Sequence, residues 1–201
     1  MTIDIGTGDG RAVLDAAARE PATLVLGLDA NAAAMVEASR RAAGPARKGG
    51  RENVRFLVAA AEKPPAALLG IADLVTVRFP WGSLLRGCLG LDAAVATGVA
   101  ALVAPRGSLQ LLVAPSARDG LEGVPTEVEG IVVAASGAFA PLGLALVAGR
   151  GATADEIATS GSSWAKRLAA GPTGYRTSGT GDGNGSTARA VTLVRFERRD
   201  R

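Results

Sequence analysis

The sequence predicts a doubly wound α/β protein, a mostly parallel sheet with helices on both faces. Three observations carry that prediction. Near the amino terminus the β-branched pair around Asp4, in Ile3-Asp4-Ile5, runs into the glycine turn Gly6-Thr7-Gly8-Asp9-Gly10, and an apolar stretch, Ala12 to Ala18, leaves that turn as a helix. Further short apolar runs at 24–28, 54–58, 73–77 and 108–113 are separated by segments with helical spacing or proline and glycine breaks. At 201 residues the chain has the size of one such unit with a substantial core, so a single domain over 1–201 is expected.

The glycine turn is the first candidate site. A dinucleotide fingerprint reads G-x-G-x-x-G, whereas the glycines here run G-x-G-x-G behind an acid, Asp4. A carboxylate at the end of the strand repels phosphate and suits a ligand with a cationic amino group. The pattern resembles motif I of the class I S-adenosylmethionine (SAM) methyltransferases. A turn of this kind also serves simply to pack a helix on a strand, and that reading stands beside the first.

Composition narrows the chemistry. Apolar residues make up 48% of the chain but aromatic ones only 3%, so the core must be built from Ala, Val and Leu. A single cysteine, Cys88, excludes an internal disulfide, and with no histidine the usual zinc, haem and Ser-His-Asp chemistries lack their parts. No metal is expected. No apolar run is long enough to span a membrane and no basic leader precedes one, so no membrane partner and a cytoplasmic location are expected. The net charge is +3 and the pI about 9.6, with the basic residues clustered. Such clustering is either contact with an anionic partner or a solvated face.

Along the chain, Leu24 to Leu28 fits the second parallel strand, ending in Asp29. An acid there, about 20 residues beyond the glycines, is placed to accept hydrogen bonds from ribose hydroxyls. Asp29 or Asn31 also suits the cap of a helix over Ala32 to Ala43. Arg40, Arg41, Arg47, Lys48 and Arg51 then crowd a loop without an acid until Glu52, a charge density that fits nucleic-acid phosphates or plain solvation. Val54 to Val58 reads as the third strand, with Ala60-Ala61-Glu62 at its carboxyl end, where it can line an adenine or remain ordinary surface.

Asp73 to Val77 gives the fourth strand, running into Phe79-Pro80-Trp81-Gly82-Ser83. A rigid proline at that place holds Trp81 over the open end of the sheet, where an indole stacks on a nucleobase. The competing reading is a tryptophan that only packs. Leu91 to Val103 has helical spacing, and Ser108 to Val113 is the fifth strand. From Pro115 to Gly151 the pattern assigns no role, and Ile131 to Ala135 suits a strand or a helix core equally. Thr153 caps a short helix with early acids, and a second serine-capped opening, Ser162-Ser163-Trp164-Ala165-Lys166-Arg167, places Trp164 in a first turn. Tyr175-Arg176 reads as a strand end, 177–187 as a flexible hairpin loop, and Ala190 to Phe196 as a closing strand.

Five motifs stand in order: Asp-Ile-Gly-Thr-Gly-Asp-Gly-Arg (4–11), Gly-Leu-Asp-Ala (27–30), Ala-Ala-Glu (60–62), Phe-Pro-Trp-Gly-Ser-Leu-Leu-Arg-Gly (79–87) and Ser-Ser-Trp-Ala-Lys-Arg-Leu (162–168). Together they resemble the aminoglycoside-resistance 16S rRNA methyltransferases of the kanamycin–apramycin type, which modify adenine N1 in the decoding site. The resemblance implies a Rossmann-like class I fold with seven strands, acting as a monomer on the 30S ribosomal subunit with SAM as methyl donor and S-adenosylhomocysteine as product. It implies that Gly6, Gly8, Asp29, Ala61, Glu62, Ser83 and Ser162 line the SAM pocket, with Asp4 near its methionine end. Trp81 and Trp164 would sandwich a flipped adenine. Arg40, Arg41, Arg47, Lys48 and Arg51 would meet rRNA phosphates, and Lys166, Arg167 and Arg176 would lie near the flipped base.

The chain departs from the family at two places. The family carries an amino-terminal hairpin ahead of the first strand, whereas Met1 here adjoins that strand, so either the start is truncated or the hairpin is absent, and Arg78 stands where an aliphatic residue is expected. A charge beside the cofactor either disturbs binding or finds an acidic partner. Two other readings remain: a SAM enzyme acting on a small molecule or another RNA, which needs no basic loop, and a non-catalytic RNA-binding relative.

Overall fold

A computed structural model describes residues 1–116, 121–163, 165, 175–176 and 189–200. Strand β1 (Thr2–Ile5) leads through the glycine turn into helix α1 (Arg11–Arg19), followed by β2 (Val25–Asp29), α2 (Ala32–Ala42) and β3 (Val54–Val58). The chain continues with β4 (Ala72–Arg78), α3 (Gly82–Cys88), α4 (Ala93–Ala101) and β5 (Val103–Val113). Next come α5 (Val128–Phe139), β6 (Leu144–Gly151), α6 (Ala154–Thr159), the two-residue strands β7 (Tyr175–Arg176) and β8 (Arg189–Ala190), and β9 (Thr192–Arg198). The first four apolar runs form strands within a residue or two of their expected bounds. The fifth starts earlier than Ser108, because Val103 already pairs with Ala72 before a register shift.

The main sheet has seven strands in the order β3-β2-β1-β4-β5-β9-β6. The pairs β1–β2, β2–β3, β1–β4 and β4–β5 are parallel, while β9 runs antiparallel to both β5 and β6. After β1 the chain moves out to β2 and β3, then returns to add β4 on the other side. The crevice at the carboxyl ends of β1 and β4 is therefore the topological switch point, where such sheets bind ligands.

Period-two alternation divides the strands between two cores. Ile3, Ile5, Val75, Val77, Leu109, Leu111, Val194 and Phe196 are buried against Leu85 and Cys88 of α3, Val95 and Val99 of α4, and Ile131, Ala135 and Phe139 of α5. Phe139 and Phe196 meet with ring centroids 5.4 Å apart, and the remaining volume is filled by aliphatic residues. On the other face α1 and α2 cover Val25 and Val54, while Ile157 of α6 packs with Phe79, Leu112 and Leu193. Cys88 is buried among apolar neighbours, which pushes its thiol up to about 12 and leaves it unreactive.

The stretch that the pattern left open resolves into α5 and β6. Ile131 and Ala135 sit one turn apart on the buried side of α5, so the ambiguous apolar run is a helix core. At the start of α6 the expected cap is present as a full capping box: Thr153 Oγ1 accepts from the Glu156 N–H and Glu156 Oε2 accepts from the Thr153 N–H. Glu156 also takes both terminal nitrogens of Arg150 at 2.9 and 2.7 Å, which joins the end of β6 to α6. Hydrogen bonds from Arg150 are the main reason its carboxyl drops to about 2.

Because that folded value lies below the ordinary one, the contribution of Glu156 is present above the ordinary carboxylate range and fades as pH falls towards about 2. Glu156→Gln is expected to lower stability by roughly 0.5–1 kcal/mol at neutral pH, the scale of a partly exposed pair. Urea melts of both proteins at several pH values should show that difference shrinking steadily below the ordinary carboxylate range.

Candidate cofactor and target-base site

The glycine turn takes the conformation its composition permits. Gly6, Gly8 and Gly10 all lie at positive φ (69°, 56° and 69°), so the backbone doubles back between β1 and α1 where a side chain would be strained. Gly10 occupies the cap position of α1 and offers no side chain of its own, while Asp9 Oδ1 accepts from the Arg11 N–H that opens the helix at 3.3 Å. Asp29 braces the turn from the neighbouring strand end: Oδ2 accepts from the Gly8 N–H and Oδ1 from the Asn31 N–H, both at 2.8 Å. Capping of α2 falls to Asn31, whose side chain accepts from the Ala33 N–H at 3.1 Å.

Beside this turn lies a cavity of about 310 Å³, at the small end of ligand pockets. Ile5, Gly6, Asp29, Ala61, Glu62, Trp81, Ser83 and Leu84 are among its walls. Its chemistry is divided. Asp29 and Glu62 offer carboxylates suited to a diol or an exocyclic amine, while Ile5, Ala59, Ala61, Phe79 and Leu84 offer apolar surface for a flat ring. These residues fit a nucleoside.

Trp81 is 60% exposed at the rim of the cavity, which removes the core reading for its indole. The backbone behind it is strained: Phe79 has φ 50°, in the left-handed region, immediately before Pro80. A bond of 2.6 Å from the Phe79 N–H to the Leu112 carbonyl ties it to β5, and its ring packs into the core with Leu112 and Leu193. The loop after β4 thus directs Pro80 and Trp81 outward from a fixed anchor.

The other expected site residues divide three ways. Gly6, Asp29, Ala61, Glu62, Trp81 and Ser83 converge on the cavity, and Gly8 supports it through Asp29. Asp4 does not line it. The residue is 3% exposed, its side chain on the opposite side of β1 from Ile5, and its Oδ1 accepts from Thr76 Oγ1 at 2.7 Å and Arg78 Nη1 at 2.6 Å. Arg78 therefore has an acidic partner, Asp4 itself. Ser162 is the expected helix cap, its Oγ accepting from the Ala165 N–H at 3.4 Å, outside the cavity walls.

Trp164, Lys166 and Arg167 lie outside the described residues, as does the loop expected at 177–187, and Arg176 is described only as part of β7. Arg40 and Arg41 end α2, Arg47 and Lys48 form a 3-10 turn, and Arg51 follows. The first four are exposed, and none of the five makes an ion pair among the described residues.

Two features of the site escaped the sequence. Ser163 Oγ donates to Asp9 Oδ2 at 2.6 Å across 154 residues of chain, which no local pattern announces. Gly98, inside the apolar helix α4, leaves room for the loop that carries Ala61: a Cβ there would lie 1.9 Å from the Ala61 carbonyl oxygen. An isolated glycine in a helix was the only signal.

The strand order, the glycine turn, the acid closing β2 and the cavity at the switch point define a class I methyltransferase. Comparison with known proteins narrows the class. The model of the family described as "NpmA: 16S rRNA (adenine(1408)-N(1))-methyltransferase" matches residues 1–182. The 16S rRNA (adenine(1408)-N(1))-methyltransferase of Streptoalloteichus hindustanus is 35% identical over 176 residues, 84% of this chain and 80% of that one. Among solved structures, the aminoglycoside resistance methyltransferase NpmB1 superposes with a TM-score of 0.72 at 35% identity, covering 98% of this chain and 86% of that one. A mutant of the 16S rRNA (adenine(1408)-N(1))-methyltransferase from Catenulisporales acidiphilia, solved with cosubstrate SAM, superposes with a TM-score of 0.77 at 30% identity, covering 99% and 85%. The chain belongs to the NpmA family of 16S rRNA (adenine(1408)-N(1))-methyltransferases.

Gly98→Ala is expected to push the Ala61–Glu62 loop into the cavity. A loss of about 1–3 kcal/mol of stability, typical of overpacking, should accompany weaker nucleoside binding, read by thermal melts and by calorimetric titration with S-adenosylhomocysteine.

Proposed function

We propose that this protein, working as one monomeric domain and without a metal, transfers a methyl group from SAM to N1 of the decoding-site adenine of 16S rRNA in the assembled 30S subunit. The observation that carries the reading is the pairing of a nucleoside-sized cavity, with Asp29 and Glu62 in its wall, and an exposed indole at its rim. Asp29 receives the ribose hydroxyls, Glu62 and the backbone at Ala61 meet the adenine of the cofactor, and Ser83 and Ser162 hold its amino-acid end. Asp4 acts there from behind the turn, its charge offset by Arg78.

SAM supplies a methyl group already bound to a sulfonium leaving group. The target adenine, unpaired once it leaves its helix, presents the in-plane lone pair of N1. That pair forms the new N–C bond as the S–C bond breaks and its electrons return to sulfur. S-adenosylhomocysteine leaves neutral at sulfur and the methylated ring takes the positive charge. No side chain has to remove a proton before the attack, in keeping with a chain that contains no histidine.

The protein's work is positioning. Trp81, with Trp164 on the other face, stacks on the flipped base, and aromatic stacking of about 1–3 kcal/mol per base offsets part of the few kcal/mol that unstacking costs. The exposed Arg40, Arg41, Arg47 and Lys48, with Arg51 beside them, supply phosphate contacts, and Lys166, Arg167 and Arg176 add charge near the base. That loop favours RNA over a small metabolite, which would not need it. Methylation at N1 blocks the Watson–Crick edge of the base and so gives aminoglycoside resistance.

Purified protein incubated with labelled SAM and 30S subunits should produce one reverse-transcription stop, at the decoding-site adenine. Trp81→Ala or Trp164→Ala should abolish transfer while leaving SAM affinity within about twofold. Retained turnover in either variant would sink the sandwich.

A further inference from the structure

SAM and S-adenosylhomocysteine share their adenosine and amino-acid parts and differ by one methyl group and one positive charge, on sulfur. How well a site tells the reactant from the spent cofactor therefore depends on the net charge around it. Asp29 and Glu62 place carboxylates in the cavity wall. A third carboxylate, Asp4, lies directly behind that wall, since Ile5 and Gly6, the next two residues, both line the cavity.

Asp4 does not act as a lone charge. Its side chain is 4% exposed and that of Arg78 15%, and Arg78 Nη1 stands 2.6 Å from Asp4 Oδ1. Thr76 Oγ1 donates to the same oxygen at 2.7 Å but brings no charge. Among the described residues Arg78 is the only ion-pair partner of Asp4. Parallel registry enforces the meeting: Asp4 pairs with Thr76, and Arg78, two residues on, leaves the same face of β4.

The other charges on this side of the sheet cancel or stand off. Arg78 lines a cleft between α1 and α6 that Arg19 and Glu156 also line. Glu156 is held through both oxygens by Arg150, and the exposed Arg19 donates to the Thr159 carbonyl at 3.2 Å. An aliphatic residue at 78 would leave the Asp4 carboxylate with the Thr76 hydroxyl alone, a full negative charge beneath the turn.

A lone carboxylate attracts the sulfonium through the protein, whereas a paired carboxylate and guanidinium present a dipole, whose field falls off faster with distance. We propose that Arg78 is a specificity-determining residue that masks the charge of Asp4, so that the cofactor site discriminates weakly between SAM and S-adenosylhomocysteine. The proposal rests on the methyltransferase reading above and adds to it the charge balance of the cofactor site. Arg78 stands outside the cavity walls and acts only through Asp4.

Calorimetric titration gives the ratio of the two dissociation constants, S-adenosylhomocysteine over SAM, in which contacts common to both ligands cancel. Arg78→Gln keeps an N–H donor for Asp4 but removes the cation. It should raise the ratio about fivefold, on the scale of one unit charge acting through protein at an effective dielectric of about 20. Asp4→Asn leaves the cation unmatched and should lower the ratio by about the same factor. Arg78→Lys, which keeps the charge, should stay within about twofold of the unmodified protein. So should the double variant Asp4→Asn with Arg78→Gln, which removes both charges. Structural damage weakens both ligands together and does not produce opposite shifts that cancel when combined. If Arg78→Gln does not fold, Asp4→Asn and the double variant still decide. An unchanged ratio in Asp4→Asn, single variants that shift it the same way, or a double variant that does not return to the starting ratio would each overturn the masking. If the unmodified protein binds neither SAM nor S-adenosylhomocysteine, the methyltransferase reading fails first, and the proposal with it.

Discussion

Asp29 holding the Gly8 N–H is the contact on which the site depends. Three glycines at positive φ give a turn with many accessible shapes, and a single carboxylate from the adjacent parallel strand selects one of them. The same carboxylate takes the Asn31 N–H and lines the cavity, so the group that shapes the floor also faces the ligand. Parallel registry makes this possible: Ile5 pairs with Leu28, which brings the end of β2 level with the start of the turn.

Around that contact the site is assembled from strand ends that are distant in sequence. The aliphatic core fixes β1, β4 and β5, and Phe79, anchored to Leu112, converts that rigidity into an outward direction for Trp81. Gly98 allows α4 to come against the Ala61 carbonyl and sets the far wall. The cavity is thus defined by strand ends and by packing on one face of the sheet, while the segment after α6 is seated on α1 outside its walls. A chemistry that needs alignment rather than proton transfer is well served by a scaffold of this kind.

Charge is arranged along the same lines. Asp4, buried and bound to Thr76 and Arg78, carries no uncompensated charge into the core beneath the turn. The arginines and the lysine after α2 are left without ion-pair partners among the described residues, and they stand clear of the cavity. Asp4 is thus neutralised beneath the turn, while the basic residues at and beyond the end of α2 stay exposed at a distance from the cavity.

Local sequence was enough for the parts whose signal is local. Alternating β-branched and apolar runs gave the central parallel strands, the glycines gave the turn, and Thr153 gave the cap of α6, because propensity, turn chemistry and capping act over a few residues. The same holds for the cavity-lining residues at strand ends: Gly6, Asp29, Ala61, Glu62 and Trp81 were legible because a doubly wound sheet brings such ends together, while Ser83 came from the family resemblance. Only tertiary structure decided that Ile131 to Ala135 is helix, that Asp4 turns to Arg78 behind the turn, and that Asp9 meets Ser163. An apolar run of that length suits either element until it has a surface to pack on. A polar side chain finds a partner across scores of residues only when the sheet has set their separation, and no sequence spacing encodes that distance.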